Sequence, residues 1–122
     1  MTLNDLRDIA YAYAKKQGFH EQPINFGERL MLIVSELSEA LEADRNGKWY
    51  ATGDNPHKGH EMSLLTKEEY ETYVRGTVEE EITDTIIRLC DLAGTYKINL
   101  SWHIAAKMHY NETRPYKHGK KY

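Results

Sequence analysis

In the stretch LMLIVSELSEALEADR, residues 30–45, Leu30, Ile33, Val34, Leu37, Ala40 and Leu41 recur at intervals of one, three and four. This is the period of an α-helix with a buried face, and it does not fit the two-residue alternation of a strand. Four segments carry such a pattern. The first spans about Thr2 to Gln17, with Leu3, Leu6, Ala10, Tyr13 and Ala14 on one face. Thr2 and Asp5 make a capping pair at its start, and Gly18 supplies a stop. The second spans about Asn25 to Asn46 and is closed by Gly47. The third spans about Thr77 to Thr95, with Val78, Ile82, Ile86, Leu89 and Ala93 as its core face. The fourth begins at Asn99 or Ser101 and ends before Pro115, carrying Leu100, Ile104 and Met108 inward.

An irregular insertion, residues 47–76, separates helices two and three. Gly47, Gly53, Pro56 and Gly59 break its first half, while TKEEYETYV (66–74) carries a Thr66–Glu69 capping signature and predicts a short extra helix. No strand pattern or internal repeat is present. The expected architecture is all-α and four-helix-bundle-like, one domain over 1–122. LMLIV (30–34) wraps every side of helix two, and Ile87 with Leu92 widens helix three. Helices apolar most of the way round are buried most of the way round, so a homodimer or homotetramer is expected.

With 122 residues the chain is long enough for an independent core. A net charge of −3 argues against a nucleic-acid partner. The single cysteine, Cys90, rules out an intramolecular disulfide framework and a cysteine-built metal site. The charged first residues, MTLNDLRDIAYAYAKK, are unlike a signal peptide, and no apolar stretch is long enough to span a bilayer. A cytoplasmic protein with no membrane partner is the expectation.

Two acidic pairs flank the apolar stripes: Glu36 and Glu39 on helix two, Glu81 and Asp84 on helix three. Residues three apart lie roughly 60° apart around a helix, so each pair shares a flank. If the flanks face each other, four carboxylates converge, and each pair near 6 Å repels by roughly 3 kcal/mol at an effective dielectric near 20. Cations remove that cost. Carboxylates without sulfur or histidine suit hard ions, Mg²⁺ or Mn²⁺, whose open positions substrate phosphates fill. Ferritin-like di-iron bundles use Glu-x-x-His, which neither motif contains. The run Glu79–Glu80–Glu81 leaves the register open, since Glu80 and Asp84 pair at four-residue spacing. The alternative to a metal site is a pair of ordinary solvated helix faces. Lys107, Asn111 and Arg114 share one face of helix four and lead into RPYKHGKKY, where Arg114, Lys117, His118, Lys120 and Lys121 cluster. Such a face could meet nucleotide phosphates, or be a solvated face and basic tail.

SELSEALEADR, EEEITDTIIRLCDLAG and KMHYNETRPYKHGKKY, in that order, closely resemble the MazG-like branch of the all-α nucleoside triphosphate pyrophosphohydrolases. The resemblance covers helices two to four and the tail. It implies metal-dependent cleavage of a nucleoside triphosphate to monophosphate and pyrophosphate by a helical oligomer. Carried over, the Mg²⁺ ligands are Glu36, Glu39, Glu81 and Asp84, while Lys107, Asn111 and Arg114 match nucleotide-facing positions. The long insertion departs from the family and bears on substrate choice. Glu36 or Glu39 is the candidate proton acceptor from the attacking water. The alternatives are a narrower specialist (dUTP, dCTP or phosphoribosyl-ATP) and a non-catalytic helical dimer that binds a basic partner.

Among other residues, Arg88 is expected to pair with Asp84 or Asp91, and Asp91 to support or extend the metal shell. His57 and His60 are read as exposed loop residues, with a metal role as the alternative. Trp49 and Tyr50 are read as covering the end of the bundle, with base stacking as the alternative. Cys90 is read as a small buried apolar residue, and Trp102 and His103 show no site spacing.

Overall fold

The computed structural model describes residues 1–53 and 65–122. Among the described residues there are five α-helices, α1 (Leu3–Lys16), α2 (Phe26–Arg45), α3 (Lys67–Tyr73), α4 (Val78–Thr95) and α5 (Leu100–Glu112), with a short 3₁₀ turn at Tyr116–Gly119. These residues include no strand, so the described structure is all-α, and none of its helices is long and apolar enough to cross a membrane. His57 and His60 lie outside the described residues.

Local chemistry sets the helix ends. Thr2 and Asp5 form a reciprocal capping box, as do Thr66 and Glu69, while Asn25 and Asn99 accept from the amides of Glu28 and Trp102. Helix α2 stops because Gly47 takes a left-handed φ of 66°, which turns the next amides back onto the last carbonyls: Gly47 N to Asp44 O and Lys48 N to Ala43 O, both 2.9 Å. Val78 N then donates to Lys48 O at 2.9 Å, so the end of α2 holds the start of α4.

The chain divides into two compact units, Met1–Glu21 with Cys90–Tyr122, and Gln22–Leu89. In the first, Asn4 and Ser101 bond reciprocally (Asn4 N to Ser101 Oγ, 3.2 Å; Ser101 N to Asn4 Oδ1, 3.1 Å), and Arg7 donates to the Ile98 carbonyl at 2.9 Å. These contacts fasten α1 to the α4–α5 corner. Ala10, Cys90, Leu92 and Ala93 are buried there, and burial pushes the Cys90 thiol pKa up. Cys90 is thus the buried residue expected.

In the second unit the packing departs from the sequence reading. The α2 residues turned inward are Ile33, Glu36 and Ala43, and those of α4 are Val78, Glu81 and Thr85. Leu30, Val34, Leu37 and Leu41 on α2, and Ile82, Ile86 and Leu89 on α4, were expected in the core and are instead exposed. Ile104 and Met108 on α5 and Tyr13 on α1 are exposed as well. Periodicity identifies a stripe that needs covering; it does not say whether the cover comes from the same chain.

Gly94 permits the approach of α1 to the C-terminal part of α4. A Cβ there would lie 2.6 Å from the Tyr11 Cβ and 3.3 Å from the Arg7 carbonyl oxygen. Gly94→Ala is therefore expected to destabilise by about 1–3 kcal/mol, although alanine alone would favour a helix. Urea unfolding followed by circular dichroism measures this, and an unchanged or higher midpoint would show that the two helices have room to spare.

Candidate functional site

Antiparallel packing of α2 and α4 brings their acids together. Three points mark the seam: Glu36 with Arg88, Glu39 with Glu81, and Lys48 with Val78. Glu36, Glu39 and Glu81 each offer a carboxylate oxygen such that all three lie within 4.8 Å of one another. Glu36 and Glu81 are 8% and 9% exposed, while Glu39 is open to solvent. The carboxyls of Glu81 and Glu39 are placed so that they can hydrogen-bond when one of them is protonated. The pKa of Glu81 is pushed up to about 7, first by burial, then by the Glu39 hydrogen bond and charge, then by the charges of Glu80 and Asp84.

Asp84, half-buried one turn further along α4, feels the same field. Burial raises its pKa first, with the charges of Glu80 and Glu36 adding to this and Arg88 opposing it. It stands beside the triad rather than within it. Arg88 does not pair with Asp84 or Asp91 as expected: its Nε donates to Glu36 Oε1 at 2.6 Å. Asp91 is engaged elsewhere, 2.8 Å from His20 Nε2, and the His20 ring meets Tyr11 edge-on.

The Glu79–Glu81 run divides into separate tasks. Glu79 accepts the backbone amides of Tyr50 (2.9 Å) and Ala51 (3.1 Å). Glu80 accepts Gly76 N at 3.0 Å and the Tyr70 hydroxyl, whose pKa is raised by burial first and by this acid second. Glu81 alone turns to the triad. This resolves the open register in favour of Glu81. Both ends of the insertion are thereby tied to the first turn of α4. No spacing in the sequence links Tyr70 to Glu80, or Glu79 to residues 50–51, and neither contact could have been found from pattern alone.

A depression of about 320 Å³ opens beside the triad, lined by Glu39, Glu42, Asn46, Lys48, Gly76 and Glu81. The four basic-face candidates, Lys107, Asn111, Arg114 and Lys117, all belong to the unit that contains α5. Lys107 Nζ and Arg114 Cζ stand 5.0 and 5.6 Å from the Tyr110 ring centre, and Lys117 Nζ lies 5.9 Å from that of Tyr116. Asn111 Oδ1 is a buried oxygen without a hydrogen-bond partner. Trp49, exposed just past the end of α2, donates its Nε1 hydrogen to Asp44 at 2.9 Å.

The donor set fits a hard divalent cation. All donors are oxygens, and their spread is close to the width of one cation's shell, about twice a metal–oxygen distance of 2.0–2.6 Å. Comparison of the chain with protein-family models, with curated proteins and with solved structures finds no match.

The Glu81 proton sets a pH dependence. An unfolded Glu81 releases its proton near 4.5, whereas the folded one keeps it to about 7, so the folded state binds more protons between those values. Stability in chelator must then fall as pH rises through that window, by an amount on the order of 3 kcal/mol at most. Glu81→Gln removes this contribution. Relative to wild type, the variant should gain stability at pH 8 and gain none at pH 4.5. Denaturant melts in chelator at the two pH values test this, and equal differences would show that the proton is not held.

Proposed function

We propose that this chain is a divalent-cation-dependent nucleoside triphosphate pyrophosphohydrolase of the MazG-like all-α type. It would release a nucleoside monophosphate and pyrophosphate, and would work as a homo-oligomer in the cytoplasm. The observation that carries the reading is the convergence of Glu36, Glu39 and Glu81 from two helices onto one point, where three carboxylate oxygens lie within 4.8 Å of one another. Mg²⁺ or Mn²⁺ held there would supply the charge that neutralises a triphosphate and polarises its phosphorus.

The protein's own groups take the remaining roles. Glu36 and Glu81, buried and fixed, are the holding ligands, and Asp84 extends them by one turn. Arg88 supplies Glu36 with its counter-charge and fixes its rotamer through a 2.6 Å bond. Glu39 is the exposed member and so is the carboxylate that water can reach; it is assigned the proton from the attacking water. Lys107, Asn111, Arg114 and Lys117 are assigned to the nucleotide's phosphates, where ammonium and guanidinium groups give charge-assisted hydrogen bonds. Gln at position 39 keeps the shape but cannot accept the proton.

The test is pyrophosphate release from a panel of ribo- and deoxynucleoside triphosphates, including dUTP and dCTP, and from phosphoribosyl-ATP, in Mg²⁺ or Mn²⁺. Turnover of several triphosphates is expected, and a single strong substrate would identify a narrower specialist. Glu39→Gln should lose about 10²–10⁴-fold while remaining helical. No turnover across the whole panel would refute the catalytic reading and leave a helical binding module.

A second measurement addresses the cation alone. At a hundred times its dissociation constant, Mg²⁺ should stabilise the fold by about 2.7 kcal/mol. Melting temperatures indifferent to Mg²⁺ up to millimolar levels would remove the ion from this site.

A further inference from the structure

Arg88 uses one edge of its guanidinium and leaves the other open. Its Nε donates to Glu36 Oε1 at 2.6 Å, while its terminal nitrogens have no hydrogen-bond partner among the described residues. They are not buried either, so the open edge meets solvent. The Glu36 side chain is 11% exposed and that of Arg88 39%. The acid is enclosed, and the base reaches from it to the surface.

The open edge lies on the side of the acids. Side chains of an α-helix lean toward its N-terminus, so Arg88 leans back along α4 toward Asp84 and Glu81, four and seven positions earlier. Asp84 feels its charge, because Arg88 opposes the rise in the Asp84 pKa. The bond to Glu36 then fixes the plane of the guanidinium. Among the described residues, Arg88 is the one cation bonded to a member of the triad. It also belongs to the unit that contains the triad, Gln22–Leu89, whereas Lys107, Asn111, Arg114 and Lys117 belong to the other.

We infer that Arg88 is a phosphate-binding residue, whose open edge takes two oxygens of a phosphoryl group held beside the triad. The planar fork of a guanidinium matches two such oxygens, which a lysine ammonium does not. Charge sets the order of events. In the chain alone Glu36 compensates the guanidinium, and a phosphate would be repelled by the surrounding carboxylates. With a divalent cation on Glu36, that carboxylate's charge is shared, and the guanidinium is left needing an anion. Phosphate binding through Arg88 must therefore require the cation. The assignment deepens the phosphohydrolase reading and rests on it for the class of ligand.

Calorimetric titration of inorganic pyrophosphate into the full chain tests it, in Mg²⁺ and in chelator, for wild type and Arg88→Lys. Lysine keeps a charge for Glu36 but has no fork. Melting temperature and affinity for Mg²⁺ alone are expected near wild type in the variant, while pyrophosphate affinity in Mg²⁺ falls about 10- to 100-fold. No pyrophosphate binding is expected in chelator. A helical variant that binds Mg²⁺ and pyrophosphate as wild type does would overturn the assignment, as would wild type that binds no pyrophosphate in Mg²⁺ or binds it equally in chelator. If the variant loses helicity or Mg²⁺, phenylglyoxal decides on wild type, because it reacts at the terminal guanidinium nitrogens. Pyrophosphate with Mg²⁺ should slow modification of Arg88 several-fold and leave the exposed Arg45 and Arg75 unchanged, as read by peptide mapping. Equal rates at Arg88 with and without pyrophosphate overturn the assignment. The two readings fail separately. Pyrophosphate bound through Arg88 without any triphosphate turnover would refute hydrolysis and support the assignment, whereas turnover with the same KM in Arg88→Lys would refute the assignment and leave hydrolysis standing.

Discussion

The structure of the acidic unit depends on how a helix pair tolerates like charges inside its seam. Bringing Glu36, Glu39 and Glu81 within 4.8 Å costs electrostatic energy that apolar packing between the same helices does little to offset. Two devices reduce the cost in the chain itself. Arg88 places a guanidinium nitrogen 2.6 Å from Glu36, and the pKa of Glu81, pushed up to about 7 by burial and by Glu39, favours a proton there below neutral pH. The guanidinium is permanent, whereas the proton is exchangeable. A cation and that proton compete for the same oxygens, because a carboxyl that donates a hydrogen bond to its neighbour cannot also present both oxygens to a metal. Acid pH therefore favours the closed, proton-bridged pair, and higher pH favours whatever positive charge can replace it.

The insertion shows how neighbouring glutamates can do unrelated work. Adjacent residues on a helix point about 100° apart, so Glu79, Glu80 and Glu81 reach different targets. Glu79 satisfies two amides of the turn that follows Trp49, and Glu80 satisfies Gly76 and Tyr70. Both are hydrogen-bond acceptors for backbone that would otherwise be left open at a loop boundary. The charge of Glu80 also raises the pKa of Glu81 and of Asp84, so this residue both anchors the insertion and tunes the acids.

The helices were legible because their signals are local. Capping at Thr2, Asn25, Thr66 and Asn99 and the glycine stop at Gly47 act over a few residues, and the structure places helix ends where those residues stand. The two carboxylate flanks were legible for the same reason, since i,i+3 spacing fixes a shared flank. What spacing could not supply was the direction of the flanks. The stripe at 30, 34, 37 and 41 looks like a core face in any helix, and only tertiary packing shows that Glu36 is more buried than Leu37 beside it. Arg88 was misassigned because partners at i−4 and i+3 on its own helix, Asp84 and Asp91, were within reach, while its actual partner lies 52 positions away. Tyr70 carried no signal at all, because its role arises from where the chain returns after the insertion.

The residues of α2 are arranged with acids inward and large aliphatics outward. Interaxial distance is set by the side chains at the contact. On the inward side of α2, Ala40 and Ala43 are small, and Thr77 and Thr85 are the buried neutral polar residues of the α4 segment. Of these, Ala43, Thr77 and Thr85 are buried, as are Ile33 on α2 and Val78 on α4, together with Glu36 and Glu81. Small residues bury little apolar area, so they add little hydrophobic stabilisation to this seam. The large aliphatics of the same helices, Leu30, Val34, Leu37, Leu41, Ile82, Ile86 and Leu89, lie roughly a quarter-turn away and are exposed. The acidic seam and the exposed apolar stripes are thus two faces of the same helices, and the seam's few aliphatics, Ile33 and Val78, do not extend into the stripes.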